Sequence, residues 1–206
     1  MKRVITEYDI IGLIKKGIRE LSISKNDLLT PSAKDLLKSS DIKIINEISI
    51  KSELKRNKII IGSDHTGVRV KKTLIDFLKN KNYEVYDVGA YNEDSVDYPD
   101  IALKVAERIA VKEYDLGILL DATGIPSAIT ANKIKGIRAA TCYNEFSAKS
   151  SREHNDANIL VLGAKAIGEE TIKSICDVWL NTEFLGERHQ KRLDKIKAIE
   201  EKYFTK

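Results

Sequence analysis

The stretch at residues 115–133, DLGILLDATGIPSAITANK, decides the fold of this chain. Its apolar run at residues 116–120 has about the length of one buried strand. The run stops at residues 121–124, and apolar residues resume at near-helical spacing with Ile125, Ala128, Ile129 and Ala131. The first N–H groups of a helix have no partner within it, and the helix dipole adds partial positive charge there. The stretch therefore predicts a strand that turns directly into a helix, with a site for a phosphate or an oxyanion at the turn.

Asp121 and Thr123 lie at this turn, where such a site would hold its chemistry. The alternative interpretation is purely structural, because an aspartate after a strand most often caps the helix that follows it. The residues of this stretch leave both interpretations open.

The composition is that of an ordinary soluble globular protein. Of the 206 residues, 42% are hydrophobic and 32% are charged, and the net charge of +4 is spread along the chain without a basic block that would indicate nucleic acid. Cys142 and Cys176 have neither disulfide-framework nor metal-ligand spacing, which indicates a reducing compartment. No apolar run approaches the ~18 residues of a membrane span, and the N-terminus does not read as a secretory signal. We therefore expect a cytoplasmic protein with neither nucleic acid nor a membrane as partner.

Strand and helix patterns alternate from residue 58 onward. Strands are predicted at residues 59–61, 85–88, 116–120, 138–142 and 159–162, and a last, highly charged helix at residues 186–203. Repeated units of this length predict an α/β fold with a doubly wound, five-stranded parallel sheet. In the common strand order 2-1-3-4-5, ligands bind at the carboxyl ends of the first and third strands. Those strands lead here into GSDHTG and DATG.

Residues 1–56 have a different pattern and predict a small helical segment, separate from a domain at residues 57–206. An apolar stripe is predicted on a helix that opens near Thr6, with the members Ile10, Ile11, Leu13, Ile14, Ile18 and Leu21. Thr30-Pro31 is typical of the start of a second helix. A brief strand at residues 41–45 and a charged linker at residues 51–58 follow. The apolar face could cover the main domain or bind a partner protein.

The three histidines, His65, His154 and His189, all lie among polar residues. A neutral imidazole near pH 7 is suited to proton transfer, and paired arginines, such as Arg188 and Arg192, suit a phosphate dianion. These groups indicate either a phosphorylated substrate with acid–base chemistry or simply a solvated surface.

Five motifs together resemble the ribose-5-phosphate isomerase B family, which includes the two subunits of galactose-6-phosphate isomerase. They cover roughly residues 58–204 and read IIIGSDHTGVRVKKTLIDFLK, VDYPD, ATGIPSAITANKIKGIRAA, SREHNDANILVLGAKAIG and NTEFLGERHQKRLDKI. The resemblance implies a Rossmann-like domain in a homodimer or homotetramer with shared active sites, without metal or cofactor. It also implies aldose–ketose interconversion of a sugar phosphate, ribose 5-phosphate to ribulose 5-phosphate, through ring opening and a cis-enediolate.

The resemblance also implies a role for each matching residue. His154 would open the sugar ring, with Asp64 and His65 at the substrate oxygens, and Thr123 would shuttle a proton between the enediolate oxygens. Backbone N–H groups around Gly124 would form an anion hole. The remaining substrate-binding positions are Tyr98, Asn155, Lys165, Arg188 and Arg192, of which the last two would clamp the phosphate. His189 would either pack between those arginines or contact the phosphate.

The chain departs from the family pattern at three places. Asp121 replaces the cysteine whose thiolate takes the carbon-bound proton, and Pro126 removes one N–H group from the glycine-rich run. Lys165 replaces an arginine and so loses the bidentate fork. Three hypotheses follow: an active isomerase with Asp121 as the base, a subunit that works beside a cysteine-bearing partner as in galactose-6-phosphate isomerase, or a non-catalytic sugar-phosphate-binding protein.

The front of the chain carries a second resemblance. TEYDIIGLIKKGIRELSIS and LTPSAKDLLKSSDIKI resemble a segment of the ethanolamine- and propanediol-utilisation proteins of bacterial microcompartments. This resemblance implies that residues 1–56 serve association or targeting, with a microcompartment or a partner enzyme as the contact.

Overall fold

The structure, a computed structural model, describes residues 3–23, 27–46 and 58–204. The chain divides into two compact units, Met1–Lys55 and Arg56–Lys206. No helix of the described residues is long and apolar enough to span a membrane.

The smaller unit consists of two β–α–β repeats. The first is β1 (Val4–Ile5), α1 (Glu7–Lys15) and β2 (Glu20–Ile23), and the second is β3 (Leu28–Leu29), α2 (Pro31–Lys38) and β4 (Lys43–Asn46). The strands form two parallel pairs, β1 with β3 and β2 with β4. A threonine caps each helix: Thr6 forms a capping box with Asp9, and Thr30 accepts a hydrogen bond from the amide of Ala33 at 3.3 Å.

The prediction that one helix carries the apolar stripe from Ile10 to Leu21 is wrong beyond Lys15, where α1 ends. The chain leaves the helix at Gly17, whose φ of +68° is a conformation that glycine adopts without steric cost. Leu21 is therefore buried in β2, while Ile18 is exposed. The unit buries a small core of its own, made of Ile5, Ile10, Leu21, Ile23, Ala33, Leu37 and Ile42. Residues 51–57 of the predicted linker lie outside the described residues.

The larger unit contains the predicted five-stranded parallel sheet, so the predicted fold class is confirmed. Its strands are β5 (Lys58–Ser63), β6 (Glu84–Asp87), β7 (Leu116–Asp121), β8 (Ala139–Thr141) and β9 (Ile159–Gly163). All four pairings between neighbouring strands are parallel. The order β6-β5-β7-β9-β8 keeps the predicted reversal of strand order between β5 and β7.

The predicted order of the last two strands is wrong, because β9 and not β8 lies beside β7. The burial of the two strands gives the physical reason. All five residues of β9 are buried, as a central strand requires, whereas the three residues of β8 are half-buried. A short strand of small residues is suited to the edge of a sheet. Because β9 lies beside β7, Gly163 is in register with Asp121.

Helices cover both faces of the sheet. They are α3 (Val68–Asn80), α4 (Tyr98–Ala110), α5 (Ile125–Ala131), α6 (Glu145–Asn155), α7 (Glu169–Asn181) and α8 (Gln190–Tyr203). Residues of α3, α6 and α7 share one apolar cluster with alternate strand residues, and residues of α4 and α5 share the other cluster. The last helix, α8, has no buried residue.

The connections between strands define two edges of the sheet. The carboxyl edge lies where the parallel strands end, and the amino edge lies where they begin. A helix between parallel strands returns the chain from the first edge to the second. The amino ends of α3, α4 and α5 therefore lie at the carboxyl edge, whereas α6 ends at the amino edge, just before β9 begins.

Candidate functional site

Asp64 follows the last residue of β5 and caps a 3-10 turn at His65–Gly67. It is 7% exposed, and its Oδ1 accepts hydrogen bonds from the amide and the hydroxyl of Thr66, at 2.8 and 2.6 Å. Its own amide donates to the carbonyl of Leu120 in β7 at 3.0 Å. These bonds fix Asp64 at the crevice between β5 and β7, and Oδ2 has no hydrogen-bond partner among the described residues.

Two more predicted substrate-binding residues lie at the same edge. The Nδ1 atom of His65 accepts a hydrogen bond from the amide of Val96 at 3.4 Å, which places the ring proton of a neutral imidazole on Nε2. Tyr98 is the first residue of α4 and is 38% exposed. An imidazole and a phenol thus lie at the same carboxyl edge as the Asp64 carboxylate.

Asp121, the last residue of β7, is 1% exposed and binds the backbone of its own turn. Its Oδ1 accepts hydrogen bonds from the amides of Thr123 and Gly124, at 2.9 and 2.6 Å, and its Oδ2 accepts one from the amide of Ser127 at 3.1 Å. The amides around Gly124, which the sequence predicts as an anion hole, hold this carboxylate. The structural interpretation of Asp121 as the cap of α5 is therefore confirmed in its geometry.

The turn after Asp121 is tightly packed. Gly124 has a φ of +82°, and a Cβ at this position would come within 2.9 Å of Thr141 Cγ2 and 3.1 Å of the amide nitrogen of Gly163. The Thr141 hydroxyl donates to the Gly124 carbonyl at 2.6 Å, and the Tyr143 hydroxyl donates to the Thr123 carbonyl at 3.0 Å. Only glycine fits at position 124, so the sequence ATG reflects this packing.

The turn is also joined to the end of β9. The amide of Ala164 donates to the carbonyl of Asp121 at 2.7 Å, and that of Lys165 donates to the carbonyl of Ala122 at 3.0 Å. The side chain of Lys165 is exposed. Seven of the predicted site residues therefore form one carboxyl-edge group: Asp64, His65, Tyr98, Asp121, Thr123, Gly124 and Lys165.

The other predicted site residues form a histidine–arginine group at the end of α6 and the start of α8, with the members His154, Asn155, Arg188, His189 and Arg192. The rings of His154 and His189 stack with centroids 4.3 Å apart and planes 8° from parallel. The Ser150 hydroxyl lies 3.1 Å from His154 Nδ1. Arg188 Nε donates to His189 Nε2 at 3.3 Å, and Arg192 Nη1 lies 3.4 Å from His189 Nδ1.

His189 is buried, whereas Arg188 and Arg192 are exposed. Burial lowers the pKa of His189, and the nearby His154, Arg188 and Arg192 lower it further. The neutral ring can accept a hydrogen bond from Arg188, which a protonated ring could not. His189 thus packs against His154 and accepts a hydrogen bond from Arg188. Two exposed guanidinium groups beside two imidazoles suit a phosphate dianion.

Sequence reasoning missed the residues that hold the end of α6. Arg152 is 5% exposed and donates from Nη1 to Asp156 Oδ1 at 2.8 Å and to the Ala157 carbonyl at 2.7 Å. Arg138 Nη2 donates to Asp156 Oδ2 at 3.0 Å, and Arg138 Nε donates to the Asn155 carbonyl at 2.9 Å. The arginine and the aspartate of REHNDAN were the available signal, since a buried arginine needs a partner.

The two groups lie at opposite edges of the sheet. Strands of five or six residues at about 3.3 Å per residue separate the edges by roughly 15–20 Å. Among the hydrogen bonds, ion pairs and ring contacts of the described residues, none joins the two groups. A single chain therefore holds the predicted site residues as two separate half-sets, one at each edge of the sheet.

Known proteins resemble this chain over its larger unit. The ribose/galactose isomerase family model matches residues 59–196. A putative sugar phosphate isomerase of Bacillus subtilis is 47% identical over 146 residues, which cover 70% of this chain and 98% of the relative.

Solved structures resemble the chain over the same extent. Ribose-5-phosphate isomerase B from Clostridium thermocellum shares 52% identity with a TM-score of 0.70, over 71% of this chain and 99% of that one. The enzyme of Mycoplasma genitalium with bound ribulose-5-phosphate shares 40% identity with a TM-score of 0.68, over 70% of this chain and 96% of that one. The resemblance predicted from the five motifs is thereby confirmed: the chain belongs to the ribose/galactose isomerase family.

Proposed function

We propose that the chain is an aldose–ketose isomerase that converts ribose 5-phosphate to ribulose 5-phosphate. The single observation on which this rests is the pair of half-sets: buried carboxylates at the carboxyl edge, and stacked histidines with two exposed arginines at the amino edge. The first group suits proton transfer and the second suits phosphate binding. Relatives that bear the name ribose-5-phosphate isomerase B support ribose 5-phosphate as the substrate.

The two half-sets require two chains. A pentose phosphate cannot reach groups roughly 15–20 Å apart across a sheet. A second copy can place its histidine–arginine group over the carboxyl edge of the first, and a two-fold axis then creates two equivalent sites. We therefore propose a homodimer, alone or within a homotetramer, with active sites shared between subunits.

In the proposed mechanism, Arg188 and Arg192 bind the phosphate. His154 protonates the ring oxygen while the Asp64 carboxylate takes the proton of the O1 hydroxyl, so that the bond between C1 and the ring oxygen breaks and C1 becomes an aldehyde. Asp64 and His65 bind the substrate oxygens. Asp121 then removes the proton from C2 of the open aldose and returns it to C1, and the Thr123 hydroxyl moves a proton from O2 to O1. Tyr98, Asn155 and Lys165 line the sugar and phosphate.

The bonds of Asp121 impose a condition on this mechanism. Both of its oxygens accept hydrogen bonds from the turn, at 2.6–3.1 Å. In this mechanism a substrate oxygen takes over the amides of Thr123 and Gly124, which frees Oδ1 of Asp121 to act as the base. The negative charge of the enediolate suits those amides, because they already hold an anion. Substrate binding would thus release Oδ1 as the base.

The same bonds favour a second candidate function. If Asp121 keeps its hydrogen bonds to the backbone amides when the substrate binds, the chain lacks a free base. It would then work only beside a cysteine-bearing partner, as in galactose-6-phosphate isomerase. A coupled assay of the purified protein with ribose 5-phosphate and galactose 6-phosphate separates the candidates. Turnover of ribose 5-phosphate by the protein alone supports the first, and turnover only after addition of a cysteine-bearing family member supports the second. Binding without turnover in either mixture would leave a sugar-phosphate-binding protein.

Sharing of the sites is tested by mixing two inactive variants, Asp64→Asn and His154→Asn. In a mixed dimer with shared sites, one site receives both substitutions and the other receives neither. Equal mixing should therefore restore about a quarter of the wild-type activity, since half of the dimers are mixed and half of their sites are intact. Failure to restore activity, with subunit exchange shown by mass spectrometry, would place each complete site within one chain.

A further inference from the structure

We infer that Lys71 is a positioning residue for the carboxyl-edge group, because it ties the loop after β6 to α3 and thereby fixes the end of β5. This inference rests on the proposed function for its kinetic consequence only. Lys71 lies in α3 and is not one of the predicted site residues.

The Lys71 side chain is 2% exposed, which is rare for lysine. Its ammonium donates to Asp87 Oδ1 at 2.5 Å and to the carbonyl of Ala90 at 2.6 Å, and it lies 5.3 Å from the ring centroid of Tyr91. A carboxylate, a carbonyl and an aromatic face thus surround the cation. Burial lowers the pKa of Lys71, while the hydrogen bond and charge of Asp87 oppose that shift.

The partners of Lys71 hold the loop at residues 87–91 in one conformation. Asp87 Oδ1 also accepts a hydrogen bond from the amide of Gly89 at 2.9 Å, and the Tyr91 hydroxyl donates to the Asp87 carbonyl at 3.1 Å. Both ends of the loop therefore meet at the same ammonium. Without the cation, the Asp87 carboxylate and the Ala90 carbonyl would have no common donor.

The loop in turn holds the last residue of β5. The Ser63 amide donates to the Gly89 carbonyl at 2.7 Å, and the Ala90 amide donates to the Ser63 carbonyl at 2.6 Å. The Ser63 hydroxyl is buried and has no hydrogen-bond partner among the described residues, so the loop holds Ser63 through these two backbone bonds, while β7 pairs with Ser63 on the other side. Asp64 and His65 follow directly, and a continuous series of short bonds therefore leads from Lys71 to both.

The kinetic test compares Lys71→Met with Lys72→Met, whose lysine is exposed on the same helix. A displacement of about 1 Å at reacting groups can cost about 100-fold in rate, so we expect kcat/KM of Lys71→Met to fall about 10- to 100-fold, with a fall in kcat. Lys72→Met should stay within about twofold of wild type, and Lys71→Arg, which keeps the cation, should recover part of the loss. A folded Lys71→Met with kcat and KM within about twofold of wild type would overturn the inference.

The double variant Lys71→Met/Asp87→Asn replaces Lys71→Met in the test if that single variant does not fold, because removal of both charges leaves no unpaired buried ion.

Amide hydrogen exchange of these variants tests the link between Lys71 and Ser63 without any measurement of turnover. Protection should fall at Ser63 and Ala90 but not in β9. Unchanged protection at Ser63 and Ala90 would refute the link even in an active enzyme. A wild type without activity on ribose 5-phosphate would refute the proposed function and leave the exchange result to decide on Lys71.

Discussion

Replacement of Asp121 by asparagine separates the two roles of this residue, as cap and as base. Asparagine has one carbonyl oxygen, which can keep the amides of Thr123 and Gly124, but its NH₂ group then faces the amide of Ser127. Hydrogen bonds to a charged group contribute about 1.5–3 kcal/mol each. Loss of the Ser127 bond and weakening of the other two should therefore lower the free energy of unfolding by about 3 kcal/mol. For a chain of this size the melting temperature should fall by about 6–12 °C.

The effect on catalysis should be larger than the effect on stability. General acid–base catalysis typically contributes 10²- to 10⁴-fold, so kcat of Asp121→Asn should fall by roughly 10³-fold while KM stays nearly unchanged. The control is Asp121→Cys, which loses the same carboxylate bonds but restores the base of most family members. We expect it to melt at a similarly reduced temperature and to retain turnover. The assay follows ribulose 5-phosphate formation well below both melting temperatures. Near-wild-type kcat in a folded Asp121→Asn would refute a role for Asp121 in proton transfer.

Three further predictions concern other parts of the chain. Arg188→Ala or Arg192→Ala should raise KM for the sugar phosphate about 10- to 100-fold, because each loses charge-assisted hydrogen bonds to the dianion. Lys191→Ala, at an exposed lysine between them, should not raise KM. Equal use of phosphorylated and free sugars by the wild type would contradict this. Because the pKa of His189 is lowered from its ordinary 6.5, the free energy of unfolding should decrease as pH falls below about 6.5. Thermal melts of wild type and His189→Gln against pH would show it, and an equally steep decrease in both would exclude His189. Deletion of residues 1–56 should leave kcat/KM within about twofold of wild type, since the smaller unit has its own core and none of the site residues lies in it. The deletion should change association with other chains, as measured by light scattering and pull-downs. Unfolding or lost turnover would mean that the domain boundary at residue 56 is wrong.

Much of the fold could be predicted from sequence because the central strands carry continuous apolar runs. Residues 59–61, 116–120 and 159–162 are all buried, and each run predicts its strand within a residue or two. The order of β8 and β9 was not predicted correctly, although the short AAT and the long apolar ILVLG already differ as an edge strand and a central strand differ. In the smaller unit, the helix ends before Gly17, although the apolar spacing predicts that it continues to Leu21, because spacing alone does not show where a backbone turns.

The chemistry at Asp121 could be located but not decided from sequence. A strand followed by a polar turn and a helix places the residue at the carboxyl edge, and that position is correct. The direction of the carboxylate depends on the left-handed conformation of Gly124 and on the contacts of that glycine with Thr141 and Gly163, which are distant in sequence. The sequence therefore left the cap and the base as open alternatives, and the structure shows the bonds of the cap.

The separation of the two half-sets follows from connectivity, and the sequence contains it in principle. A residue at the end of a strand or directly after it lies at the carboxyl edge, and a residue at the end of a crossover helix lies at the amino edge. Asp64 and Asp121 belong to the first class, and His154, five residues before β9, belongs to the second. A motif comparison matches each residue to a role without regard to the edge on which it lies. Once the edge is considered, any reaction that uses both His154 and Asp121 on one small sugar requires a second chain, so the assembly is part of the proposed active site.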